Sequence, residues 1–407
     1  MKTLIFLGIP KKFELRAAKK YAKVIILQRQ DSIKEIDSAR QELLIGVEVI
    51  NYQDVDNNLF TKLSGLIDPV NTYVSINERT IVEAHKIITH FKLPQSLDIT
   101  PKIVGMLSDK SKFRNSFVND AVHSSHSILI NEKQDLLQAV KQGRRLIVKP
   151  IKGEASTDVM IVADAKDAES VWEKVSLAEQ RNKNNSFLAE EYFEGDQYSV
   201  DVYWSKLQGY RYTPFCKQVI GYDMGYQDFR TCYSKTVADM DETMYAEITA
   251  KLSGIFESNN MRLAIMHVEF RINTQGELFV VEINPRIGGL RNIIYNISYE
   301  LPHVENVIKS TIGLDDLVIK SDLIRNSVVL HFWANKVGKF RSIEFHKIED
   351  PKVIVHLERI EIKAGGVVGP PDKGYKKAGY TIISTDRGYE MDKAITEVFT
   401  KTKVITE

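Results

Sequence analysis

Residues 267 to 289 read HVEFRINTQGELFVVEINPRIGG, two alternating apolar runs joined by Thr274-Gln275-Gly276-Glu277 and carrying Glu269, Glu282 and Asn284. The pattern predicts a β-hairpin with Gly276 at a turn position that needs a positive φ. A turn centred on Gln275-Gly276 sets Glu269 directly opposite Glu282, and the two-residue period of a strand puts Asn284 on the face of Glu282. Like charges across a ladder repel, so a cation belongs between them. Three oxygen-bearing side chains suit magnesium, which commonly bridges a protein carboxylate to nucleotide phosphates. A solvated polar face closed by a salt bridge is the plainer account of the same residues.

Pro285 ends the second strand, and Arg286-Ile287-Gly288-Gly289 follows. A guanidinium there can grip a carboxylate or phosphate through two parallel hydrogen bonds, and the amides of Gly288 and Gly289 can face an anion. Lys149 ends a strongly apolar strand just before Pro150, where a charged side chain needs an anion or an ion-pair partner close by. His267 lies one strand step from Glu269, either packed or orienting a substrate. Arg291 and the loop from Gly221 to Cys232 are candidates for a substrate carboxylate and a second site, with surface solvation as the alternative.

These residues need a scaffold with several sheets. Apolar runs at Leu4–Leu7, Val24–Leu27, Ile45–Ile50 and Thr72–Ile76 alternate with helical stretches Phe13–Ala22 and Glu78–Phe91, the pattern of a parallel α/β sheet. The first strand leads into Gly8-Ile9-Pro10-Lys11-Lys12, so a dinucleotide fingerprint is absent. A helix around Ser108–Phe117, a strand Ser127–Ile130, a helix Lys133–Gln142 and strands Arg145–Lys149 and Val159–Ala163 come next. The last two flank a small-residue loop, unlike the strand-to-helix step of a Walker A site. Strands Phe187–Glu191 and Gln197–Tyr203 precede a loop-rich stretch to about Asp239. A helix Thr243–Asn259 presents Ile248, Leu252, Ile255 and Phe256 on one face. A helix near Pro302–Ile312, strands Val328–Phe332, Val353–Ile362 and Tyr380–Ser384, and a final helix Tyr389–Thr400 complete the chain.

At 407 residues the chain exceeds one ordinary core. Its 43% hydrophobic and 27% charged residues describe a globular protein. A net charge of +1, from 55 basic and 54 acidic residues, gives no field that favours nucleic acid or a membrane surface. No apolar run approaches the roughly 20 residues of a membrane span. Cys216 and Cys232 form no metal or redox motif and are expected as free thiols in a reducing cytoplasm.

The run Glu-Ile-Asn-Pro-Arg-x-Gly-Gly, with Glu269 and Glu282 at their separation, resembles the magnesium motif of the ATP-grasp superfamily, and three further segments match in order. Leu107-Ser108-Asp109-Lys110 is similar to the step supplying the family's first phosphate lysine. Ile147-Val148-Lys149-Pro150 resembles the second lysine strand, and Gly153-Glu154-Ala155-Ser156 the loop over the phosphates. Ala189-Glu190-Glu191-Tyr192-Phe193-Glu194-Gly195 looks like the adenine hinge. The resemblance covers residues 100 to 312. It implies an α/β ATP-grasp fold, α+β in parts, with an N-terminal Rossmann-like domain and a C-terminal β-rich extension. The expected boundaries are 1–100, 101–190, 191–318 and 319–407.

By the same resemblance, ATP binds at Lys110, Lys149, Gly153, Ser156, Glu190, Glu191, Tyr192, Phe193 and Gln197. Magnesium, or manganese, binds at Glu269, Glu282 and Asn284, and Arg286 handles the phosphoryl group and substrate carboxylate beside Gly288 and Gly289. Two positions depart from the family: Asp158 stands where glycine is frequent, and Gln197 where an acid holds ribose. The implied reaction joins a small-molecule carboxylate to an amine through an acyl-phosphate, with L-amino-acid ligases that make dipeptides as the nearest subclass. Purine-pathway ligases, biotin carboxylases, a kinase or a non-catalytic ATP-binding protein are the alternatives, and a homodimer is left open.

Overall fold

The computed structural model describes residues 1–32, 38–116, 127–141, 143–153, 156–181, 186–226, 228–237, 240–320 and 322–407. The chain begins with a parallel four-stranded sheet in the order Glu48–Tyr52, Lys23–Arg29, Thr3–Leu7, Thr72–Val74. Its central strands are apolar almost without interruption, because helices cover both faces and leave no wet side. The chain runs outward from Thr3–Leu7 to Glu48–Tyr52 and then returns to the other side of the first strand. That reversal opens a crevice at the carboxyl ends of Thr3–Leu7 and Thr72–Val74, where open α/β sheets take ligands.

The expected helix around Ser108–Phe117 is two helices, Pro101–Ser108 and Lys110–Asn115. Asp109 divides them: its extended backbone ends the first, and its side chain caps the second by accepting from the amides of Ser111 and Lys112. A four-stranded antiparallel sheet follows in the order Ser127–Ile130, Phe187–Glu191, Leu146–Pro150, Met160–Val162. Helices Lys133–Val140 and Ala165–Arg181 cover it around a core of Leu136, Val148 and Val175.

The largest sheet runs Leu278–Asn284, Ile265–Ile272, Asp196–Ser205, Cys216–Ile220, Thr231–Thr236, Arg325–Phe332, Gly379–Asp386, Val353–Ile360. The segment expected to be loop as far as Asp239 therefore holds three of its strands, Cys216–Ile220, Thr231–Thr236 and, paired to Asp196–Ser205 beside the main order, Gly209–Tyr212; Asp239 itself lies outside the described residues. Thr231–Thr236 buries Cys232, Ser234 and Thr236 at alternate positions, so its inward face is small and polar and carries no apolar alternation to read. The helix Glu242–Ser258 buries Ile248, Leu252, Ile255 and Phe256 as expected. Helices Ala165–Arg181 and Arg291–Tyr299 were not foreseen from the pattern. Among the described residues no helix is long and apolar enough to cross a membrane.

Candidate active site

The hairpin places Glu269 opposite Glu282, by a route other than the expected one. The turn is a three-residue loop, Thr274 to Gly276, closed by a bond from Asn273 N–H to the Glu277 carbonyl, with Gly276 at φ +77. From this centre Ile272 faces Leu278 and Phe270 faces Val280. A bulge at Val281 then inserts one residue, and the register shifts to bring the two glutamates together. The bulge also leaves the carbonyls of Val280 and Val281 to accept from Arg114, at 2.5 and 2.8 Å.

Glu269 accepts from Gln197 Nε2 at 3.3 Å and lies 3.3 Å from His267 Nε2. Burial would raise its pKa, but His267, Arg286 and Arg291 outweigh that and lower it. Asn284 donates its Nδ2 to Glu282 at 2.7 Å, which turns its amide oxygen, an acceptor that a cation can use, away from that bond. Among the described residues no three His, Cys, Asp or Glu side chains gather as a closed metal cage. Two carboxylates and an amide oxygen fit magnesium, which keeps coordination places for water and phosphate oxygens.

Arg286 extends from the hairpin to Glu78, just past the Thr72–Val74 strand of the first sheet, Nε to Oε1 at 2.7 Å. The second oxygen of Glu78 is shut from solvent with no hydrogen-bond partner among the described residues. Both residues line a cavity of about 1420 Å³, together with Gly8, Ser75, Pro285 and Arg262. Gly8 and Ser75 directly follow the two strands whose carboxyl ends form the crevice of the first sheet.

Three expectations, two at the glycine turn and one at the Gly221–Cys232 loop, need correction. The Gly288 N–H donates to Asp201 Oδ2 at 3.1 Å, so this amide is already used and does not face an anion. Arg291 is buried beneath the turn, bonded to Ser199 and Ser234, and its guanidinium faces polar core rather than an open substrate site. The Gly221–Cys232 stretch sends Tyr222 and Phe229 against Tyr192 at the hinge, away from the Arg286 cavity. Gly289 is open on the side where a Cβ would stand, whereas a Cβ on Gly288 would come within 2.5 Å of the His267 ring. Gly288→Ala should therefore lower stability by about 1–3 kcal/mol through overpacking, measurable by thermal or denaturant unfolding.

Lys149 meets the hairpin through Glu190 and through Arg114, a residue that the sequence pattern left unremarked. Lys149 is buried and ion-paired to Glu190, which also takes Arg114 Nε at 2.5 Å. Arg114 thus joins the smaller antiparallel sheet to the bulge beside Glu282. Burial pulls the Lys149 ammonium down to about 8 against the attraction of Glu190. Burial pushes the Glu190 carboxyl up, but Arg114 and Lys149 bring it down to about 2. Glu190 is therefore engaged by two cations, Arg114 and Lys149. Lys110 donates to the Gly153 carbonyl at 2.9 Å, at the start of the small-residue loop.

Glu154 and Ala155 of that loop lie outside the described residues. Ser156 and Asp158 have φ +50 and +58, and aspartate is among the few residues besides glycine that visit this region routinely. Glu191 turns outward to Arg144. Tyr192 gives its N–H to the Arg145 carbonyl, and the Phe193 carbonyl accepts one bond from Arg271, which leaves its second lone pair unused by that contact. Gln197 is buried and donates to Gln218 and to Glu269 of the carboxylate pair.

A family model described as an ATP-grasp domain matches residues 142–293. The chain carries an ATP-grasp domain. It is 21% identical over 291 residues to an L-arginine-specific L-amino acid ligase from Bacillus subtilis, covering 67% of this chain and 68% of that protein. The crystal structure of an L-amino acid ligase from Bacillus licheniformis superposes with a TM-score of 0.79 at 16% identity, over 100% of this chain and 99% of the other. N5-carboxyaminoimidazole ribonucleotide synthetase from Thermotoga maritima matches over 100% of both chains with a TM-score of 0.67 and 18% identity. The ATP-grasp fold expected from the motifs is thus the fold of the chain.

Proposed function

We propose that this ATP-grasp protein is an ADP-forming ligase that activates the carboxylate of one amino acid and couples it to the amine of a second. The observation that carries the reading is the convergence of three groups. The hairpin that carries the paired carboxylates Glu269 and Glu282 is tied at its bulge through Arg114 and Glu190 to Lys149, and Arg286 extends from the same hairpin to the cavity at the N-terminal sheet. Arg286 beside Glu78 offers one cation and one anion, the complement of a zwitterion. The likeness to two amino-acid ligases supports the same substrate class.

In this reading Lys110 and Lys149 hold the phosphates, and Arg286 holds the substrate carboxylate in line with the γ-phosphorus. Magnesium on Glu269, Glu282 and Asn284 would supply neutralisation of phosphate charge. A carboxylate oxygen attacks the γ-phosphorus and ADP leaves, giving an acyl-phosphate. The amine then attacks the acyl carbon, loses a proton and expels phosphate. Positioning and fixed charge are the protein's contribution.

The test is a screen of amino-acid pairs for phosphate release, with nucleotides separated by chromatography and products weighed by mass spectrometry. The expected products are ADP, phosphate and an amide, formed only when both amino acids are present. AMP with pyrophosphate would reject the acyl-phosphate route, because the lysines and carboxylates would then surround the wrong phosphorus. ADP with a stable phosphorylated substrate and no amide would indicate a kinase.

A further inference from the structure

Asp201 lies at the centre of the Asp196–Ser205 strand with no exposure to solvent, yet its carboxylate accepts from three separate elements. Oδ1 takes His267 Nδ1 at 2.6 Å; Oδ2 takes His303 Nε2 at 2.6 Å and the Gly288 N–H at 3.1 Å. His303 in turn meets the Tyr203 hydroxyl, and the far nitrogen of His267 reaches Glu269. A buried polar chain therefore runs from Tyr203 through His303, Asp201 and His267 to the carboxylate pair, with a branch to the glycine turn behind Arg286. Each member is satisfied only while the others stay in place, so the chain resists small displacements.

We infer that Asp201 is a positioning residue that fixes Glu269 and the Arg286–Gly289 turn relative to one another. The inference rests on the ligase reading, in which Glu269 holds the cation. One carboxylate does both jobs: through His267 it sets the orientation of Glu269, and through the Gly288 amide it sets the height of the turn. Gly288 has no side chain because the His267 ring occupies the space, so the two contacts share one packed layer. An amide at position 201 would keep the size but aim an NH2 at either the His267 N–H or the Gly288 N–H, two donors face to face.

The test is magnesium-dependent binding of an ATP analogue, read by calorimetry, on the whole chain and on Asp201→Asn, with unfolding curves as a fold control. The expected result is a rise of about 10- to 100-fold in the magnesium concentration for half-maximal binding, the range seen when partners of a metal ligand are removed. kcat should fall in parallel, and KM for ATP at saturating magnesium should stay the same. A merely structural role would lower the unfolding midpoint and leave the magnesium requirement within twofold, which would overturn the inference. Should Asp201→Asn fail to fold, His267→Gln breaks the link to Glu269 from the other side and must show the same rise. An unchanged requirement there overturns the inference equally. Analogue binding by the unsubstituted chain that ignores magnesium would remove the ligase reading itself, and the inference with it.

Discussion

Glu282→Gln is expected to lower turnover by about a hundred- to a thousandfold, the scale on which losing one preorganised electrostatic group acts, while the chain stays folded. The two effects separate because Glu282 is only half-buried on the hairpin face and holds the fold through one side-chain bond, from Asn284, that an amide can replace. Glu269 and Glu282 face each other across the ladder, and Asn284 supplies only one N–H to the pair at Glu282. Neutralising Glu282 relieves the like-charge repulsion of the pair, and a glutamine oxygen still accepts from Asn284. The unfolding midpoint should hold or rise while kcat collapses, and raising magnesium should restore little. Steady-state kinetics across magnesium concentrations, beside a thermal melt, measures both. Near-normal turnover at ordinary magnesium would show that the pair holds no cation.

Much of this site was legible because it lies on periodic elements. Alternation over residues 265–284 marks the hairpin, and the 3.6-residue period marks the buried face of Glu242–Ser258. The opposition of the two glutamates was reached from the sequence by a symmetric turn, whereas the chain reaches it with a three-residue loop and a compensating bulge. A bulge has no signature in residue type, so the register was right for a different reason. Partners distant in sequence were not legible at all. Arg114 sits 76 residues from Glu190, inside a run of charges that reads as a solvated helix, and is buried only because the hairpin bulge and Glu190 converge on it. Glu190, Gln197 and Gly288 look available in the sequence, but Arg114, Glu269 and Asp201 already engage them. Thr231–Thr236 shows the same limit for secondary structure: a strand that buries small polar residues has no apolar alternation to read.

The second large effect is expected at Lys149, and its pH dependence distinguishes a phosphate lysine from a structural one. The ammonium is buried beside Glu190 and its pKa is drawn from 10.5 to about 8, chiefly by burial. Only the charged form can hold a phosphate, and it falls from roughly nine-tenths at pH 7 to roughly one-tenth at pH 9. ATP binding to the free protein should therefore weaken about tenfold across that interval, and in Lys149→Met it should be weak and flat with pH. The sign for stability is opposite. A base whose native pKa is depressed binds fewer protons folded than unfolded between about 8 and 10.5, so its contribution to stability rises with pH in that window. Below about 8 both states hold the proton, and the fold bears the full cost of the buried charge. A fold-only role would leave nucleotide affinity level while stability climbs. Isothermal titration with ATP and denaturant unfolding from pH 7 to 10, each on the native chain and Lys149→Met, should instead show the two quantities moving in opposite directions in the native chain and the Lys149 share of both absent from the variant. Parallel pH profiles of affinity in the two proteins would remove Lys149 from the phosphate site and leave Lys110, which donates to the Gly153 carbonyl, as the other lysine expected there.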